Sequence, residues 1–172
     1  MRKAKPWILA IGAMTLVFVV VGGLFHNPAR ALPSTEDEAV VRTRDQVKML
    51  DTLYKNAVVA TTDIYKKGPP AIMMGKRVFE AMEKEGWHSV RLVDVTGSPL
   101  NDANLAKTDF EKRAEGEIKT GKAYYEEVVE ENGKKRLLAA TVVPAVHARC
   151  AACHGVEEGE LLGFIRYDVP VK

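Results

Sequence analysis

The sequence predicts an α+β protein. Helical periodicity dominates its first half, runs of strand character fill the second, and Asn132-Gly133 between two of those runs marks an antiparallel hairpin. With 172 residues, 47% of them hydrophobic, one folded domain with its own core is expected. There is no internal repeat or low-complexity tract.

Taken in order, residues 1–5 are a basic head and residues 6–25 an uncharged, mostly apolar run of 20, long enough to span a bilayer as a helix. Ala29-Arg30-Ala31 has the small-x-small form of a cleavage site. Two outcomes stay open, an inner-membrane anchor over residues 6–25 or a signal peptide cut near Ala31. In both, the basic residues stay inside and residues 32–172 form a periplasmic, extracytoplasmic domain. The net charge of +2 comes from this leader, because residues 1–31 hold Arg2, Lys3, Lys5 and Arg30 and no acid. The remainder, 21 basic against 23 acidic residues, is nearly neutral and predicts no nucleic-acid partner.

Ser34 and Thr35 with Asp37 and Glu38 three residues on read as a helix start. Val40, Val47, Leu50, Tyr54, Ala57, Thr61 and Ile64 then fall on one stripe, and Gly68-Pro69-Pro70 ends the helix near residue 67. At ~1.5 Å per residue it exceeds roughly 40 Å, more than a small sheet needs to cover. Its first half is therefore expected to serve as a membrane-proximal stalk or homodimer contact, unless the whole is one long core helix.

A second helix fits residues 71–85, with Ile72, Val78, Phe79 and Met82 inward and Gly86 as its stop. Residues 87–94 alternate like a strand, and Thr96-Gly97-Ser98-Pro99 is a turn. Residues 101–107 are loop, after which Thr108 with Glu111 opens a short helix closed by Gly121. Residues 124–129 and 135–143 flank the Asn-Gly turn, Pro144 ends the second of them, and residues 161–169 give a last strand. The pairs Glu126-Glu127 and Glu130-Glu131 read as solvated strand surface.

Between those last strands, on an expected loop, stands Cys150-Ala151-Ala152-Cys153-His154-Gly155, which uses both cysteines of the chain. Two thiols at this spacing can each add to a vinyl group of haem, and the adjoining imidazole can bind the iron, so one covalent haem c is the leading expectation. Three others stay open: a zinc site from His147, Cys150, Cys153 and His154, a thioredoxin-like redox pair, and a plain disulfide.

Several stretches together resemble a bacterial family of PAS-like domains that hold one c-type haem, found as exported proteins and as input domains of membrane-bound signalling proteins. They are Leu53-Tyr54-Lys55-Asn56-Ala57-Val58-Val59, Gly86-Trp87-His88-Ser89-Val90-Arg91-Leu92, the hairpin at Asn132-Gly133, Val143-Pro144 ahead of the cysteine motif, and Gly163-Phe164-Ile165-Arg166. The resemblance implies a PAS-like antiparallel sheet flanked by helices, with haem between the long first helix and the sheet. It also implies Cys150 and Cys153 as thioether anchors and His154 as proximal iron ligand. Some members place a cysteine on the first helix as sixth ligand, whereas Val58 to Thr61 here contain none.

For the distal side of the iron the sequence offers His88, Met73 or Met74, with His147 less suited because it lies three residues before the first anchor. Tyr54 and Thr61 are candidate pocket residues if that side is open to nitric oxide, carbon monoxide or oxygen. The function expected is a redox-sensing or gas-sensing module acting through a partner protein. The alternative is a single-haem electron carrier serving a redox partner. A peroxidase-like enzyme would need a distal acid and base that the sequence does not name.

Overall fold

The computed structural model describes residues 35–64 and 70–172. Chain contacts separate residues 1–32 from a second unit, residues 33–172, to which the description below refers. The expected leader and the helix-start residue Ser34 lie outside the described residues. Among those described, no helix is long and apolar enough to cross a membrane.

Four strands form one antiparallel sheet: β1 (Ser89–Asp94), β2 (Tyr124–Glu131), β3 (Lys134–Pro144) and β4 (Leu161–Pro170), in the order β1-β4-β3-β2. Around it stand α1 (Thr35–Ile64), α2 (Ala71–Lys84), α3 (Asp109–Lys119) and the short α4 (Ala148–His154). This is the α+β class, and it packs in three layers because both sheet faces carry apolar side chains.

On one face Leu137, Ala139, Ile165, Tyr167 and Val169 meet Val47, Leu50 and Tyr54 of α1 and Phe79 of α2. On the other, Val93, Ala140 and Phe164 meet Phe110, Ala114 and Ile118 of α3. Alternation along the central strand β4 decides the split: Ile165, Tyr167 and Val169 face α1, while Phe164 and Arg166 face the α3 side.

Several elements form as read. The two-residue turn has Asn132 at φ 53° and Gly133 at φ 71°, the left-handed pair a type I′ hairpin needs, with Glu131 opposite Lys134. Thr108 and Glu111 form a complete capping box on α3.

Others differ. The buried stripe of α1 is Thr43, Val47, Leu50 and Tyr54, across its middle. That central stretch covers the sheet, so the later part of the first half, at Thr43 and Val47, packs rather than projects. Beyond Tyr54 the helix leaves the sheet and meets α2, where Gly75 comes close to Val58, and Ile64 is 75% exposed. Contact along that narrow line also explains why only Phe79 of α2 is buried while Val78 is exposed. Trp87 does not begin β1. Its amide bonds the Met82 carbonyl and that of Gly86 the Glu83 carbonyl, the paired bonds that wrap a helix C-terminus, so the strand starts two residues later. Glu126 and Glu127 are half-buried rather than solvated, held by Arg44 and Arg113 respectively.

Candidate functional site

The cysteine motif lies on a helix, not a loop. His147 precedes α4 in extended conformation and its Nδ1 accepts the Arg149 amide, while Gly155 after it is left-handed at φ 67°. Ala148, Ala151 and Ala152 between these caps are strong helix formers. A seven-residue helix offers too little periodicity to read, which is why the sequence points to a loop here.

This helix is an excursion between two neighbouring central strands. Ala145, fully buried, ties its base by donating to the Glu160 carbonyl at 2.8 Å and accepting from the Gly159 amide at 2.9 Å. Its other flank is clipped to the end of α1. The His147 Nε2 lies 3.1 Å from Asp63 Oδ1, and Arg149 Nη1 donates to the Thr62 carbonyl at 3.0 Å.

Cys150, Cys153 and His154, at positions i, i+3 and i+4, share one helix face. Both thiols are free, Cys150 half-buried and Cys153 exposed. No hydrogen bond or ion pair engages the half-buried His154 ring among the described residues.

The competing chemistries fit less well. Both His147 nitrogens are occupied, by the Arg149 amide and by Asp63, which removes a ligand from the zinc set. No group of three or more His, Cys, Asp or Glu side chains placed to hold a metal occurs among the described residues. Burial pushes the Cys150 thiol up, opposite to what a nucleophilic redox thiol requires, and α4 joins antiparallel strands rather than a βαβ unit. The pair is not bonded as a disulfide.

A porphyrin would suit these surroundings. Ile64, next to Asp63 in the chain, and Val146, next to His147, are 75% and 59% exposed, apolar surface near the α1–α4 clasp that a flat macrocycle can cover. Cys150 and Cys153 would then hold it and His154 would face its metal.

The distal candidates are scattered. Met73 and Met74 are exposed on α2. Thr61 on α1 bonds its hydroxyl back to the Ala57 carbonyl at 2.7 Å. Tyr54 and His88 are instead brought together: His88 is 3% exposed, and its Nε2 lies 2.9 Å from the Tyr54 hydroxyl. Burial lowers the His88 pKa, favouring the neutral ring, and its Nδ1 has no partner. A groove of about 260 Å³ lies along the first part of α1, lined by Arg42, Gln46, Trp87 and Lys172 among others. It is some 20 residues of helix, about 30 Å, from the α4 clasp.

Two polar clusters escaped the sequence. Asp51 Oδ1 accepts from Thr141 Oγ1 at 2.6 Å and from the Tyr167 hydroxyl at 3.0 Å, with Lys55 on Oδ2. Glu111, 0% exposed, faces Arg91 at 2.6 Å and Arg166 at 3.6 Å. Burial opposes its charge, but the Lys107 amide, Arg91 and the Thr108 amide prevail and hold its pKa below the usual value. A signal existed for the second cluster only: arginines replacing apolar residues in β1 and β4, which turn out to sit opposite one another.

Comparison with known proteins gives the family. The family model described as Tll0287-like: Tll0287 matches residues 26–163, most of the chain including the cysteine motif. The chain belongs to the Tll0287-like family. A crystal structure described as that of the cyanobacterial heme-protein Tll0287 matches it with a TM-score of 0.54 over 77% of this chain and 95% of that one. At 17% identity this likeness concerns the fold. No curated protein matches the chain significantly.

Proposed function

We propose that this family member is an exported, c-type haem-binding module of PAS-like fold, in which redox state or a bound diatomic gas (nitric oxide, carbon monoxide or oxygen) is passed to a partner protein. One observation carries the reading. Cys150, Cys153 and His154 lie together on one helix face in a chain whose fold matches a crystal structure of a heme protein.

In this reading Cys150 and Cys153 form the thioethers and His154 is the proximal ligand of a single haem, which supplies reversible redox and ligand-binding chemistry. Residues 6–25 anchor the module to the inner membrane, or cleavage near Ala31 releases it. The sensing role is favoured over electron carriage by the state of the distal candidates, since His88 is held by Tyr54 and the two methionines point to solvent. The carrier reading draws on exposed Cys153, which leaves one porphyrin edge open to a redox partner.

Protein made in a cytochrome-maturing host tests both layers. The expected product is red, heavier than its polypeptide by one haem, and loses the covalent group in Cys150→Ala/Cys153→Ala. A colourless product of bare-polypeptide mass would refute the haem assignment. Reduced spectra with and without carbon monoxide then separate the roles: high-spin iron that shifts on gas addition supports sensing, and gas-indifferent low-spin iron overturns it in favour of a carrier.

A further inference from the structure

Tyr54 and Tyr167 are both buried, at 6% and 0% exposure, and their rings lie parallel within 5° at a centroid distance of 6.4 Å. A buried phenol needs a hydrogen-bond partner, and a backbone carbonyl would suffice. Here each has a side-chain base: His88 Nε2 at 2.9 Å for Tyr54, and the Asp51 carboxylate at 3.0 Å for Tyr167. Phe79 meets Tyr54 edge-on at 4.9 Å, an aromatic wall that does not itself oxidise readily. Tyr124 and Tyr125 also bond carboxylates, each of these held by an arginine as Asp51 is held by Lys55, but their rings are only half-buried, whereas Tyr54 and Tyr167 are enclosed.

We propose that Tyr54 and Tyr167 form a redox-active pair, each giving one electron to a strong oxidant while its phenolic proton passes to the base already bonded to it. The proposal rests on the haem reading for its natural oxidant, a hydroperoxide whose redox chemistry a bound haem would supply.

The step balances with two phenols. Each loses one electron and one proton, the O–O bond of the hydroperoxide takes both electrons and both protons, and 2 ArOH + ROOH gives 2 ArO• + ROH + H2O. The protons lodge first on His88 and Asp51. Burial raises the pKa of both phenols, so the neutral form is resident and electron loss must be accompanied by proton loss. A phenol that loses an electron becomes a strong acid, and a base within hydrogen-bond distance receives its proton without diffusion. Neutral His88 leaves the Nε2 lone pair free when its own proton sits on Nδ1. On α1, Tyr54 is eight residues, about 12 Å, from Thr62, where α4 is clipped.

The experiment mixes the haem-loaded protein with hydrogen peroxide, freezes it within milliseconds and records electron paramagnetic resonance. A tyrosyl radical is expected in the wild type, reduced by Tyr54→Phe, abolished in Tyr54→Phe/Tyr167→Phe, and formed more slowly in D2O. Each change removes only a hydroxyl, and circular dichroism checks the fold. No tyrosyl signal in the wild type, or an undiminished signal in the double variant, overturns the proposal. A protein whose mass shows no haem fails the earlier reading instead. The pair is then oxidised with flash-generated tris(bipyridine)ruthenium(III): a tyrosyl signal that the double variant abolishes supports the pair, and an absent or undiminished one overturns it.

Discussion

His147 is the residue on which the geometry of the cysteine helix turns, and its removal has a calculable cost. His147→Ala takes the acceptor from the Arg149 amide, worth about 1 kcal/mol for an N-cap. It also takes the 3.1 Å contact to Asp63, worth at most ~1 kcal/mol because Asp63 is 59% exposed. A seven-residue helix has no reserve of its own, so the sum of about 1–2 kcal/mol appears as local opening, a factor of ~5–30. Native-state hydrogen exchange reads this at Ala151, whose amide bonds the His147 carbonyl, with the buried helix position Ile118 as an internal reference. His147→Asn restores the cap but not the contact to α1, and its exchange should lie within about fivefold of wild type and below that of His147→Ala. Unchanged exchange in His147→Ala, or equal acceleration in both variants, would refute the assignment of His147 as the cap.

Three further outcomes are expected. Gly163→Ala places a Cβ 1.9 Å from the Val93 carbonyl oxygen across the β1–β4 ladder, where only backbone can give way. A loss of about 3 kcal/mol or more, roughly 6–12 °C in Tm, should follow by calorimetry. Glu111→Gln leaves Arg91 and Arg166 without a buried counter-charge and should cost about 3 kcal/mol in urea unfolding at pH 7. Because the folded pKa of Glu111 lies below its unfolded value of ~4.3, its stabilisation is complete above that pH and is lost as pH falls through the folded value, so the variant should show a shallower acid slope. Asp51→Leu leaves the buried Tyr167 hydroxyl without an acceptor and should cost about 1–3 kcal/mol, whereas Asp51→Asn retains an oxygen and should cost under about 1 kcal/mol; equal losses in the two would refute the hydrogen-bond assignment.

The parts of the fold legible in the sequence are those set by local chemistry. Asn132-Gly133 needs two left-handed residues in a row, and Thr108 with Glu111 satisfies a helix start without help from elsewhere, so both could be read one residue at a time. The motif Cys150 to His154 was legible for the same reason, as spacing alone. What its neighbours are depends on tertiary contacts. That α4 is clipped to Thr62 and Asp63 joins residues some 85 apart, and Asp51 reaches Tyr167 over 116. His88 illustrates the limit: its place beside a strand made it a candidate iron ligand, but which way the chain leaves the α2 C-terminus decides that it faces Tyr54.

One helix connects the features that matter for function. Along α1, Asp51 holds the sheet through Thr141 and Tyr167, Tyr54 holds His88, and Thr62 with Asp63 holds α4. The Tyr54–His88 grip is buried, those of Asp51 are half-buried and the last is at the surface, so under the proposed haem reading a change at the metal would meet the surface grip first. β3 and β4 fix the base of α4 through Ala145, which leaves its contacts to the end of α1 as the more exposed of its two attachments. The proposed sensing role does not require the sheet to deform. It needs only that the His147 and Arg149 contacts differ between two states of the haem, and a difference of ~1 kcal/mol there would shift the clasp equilibrium by about fivefold.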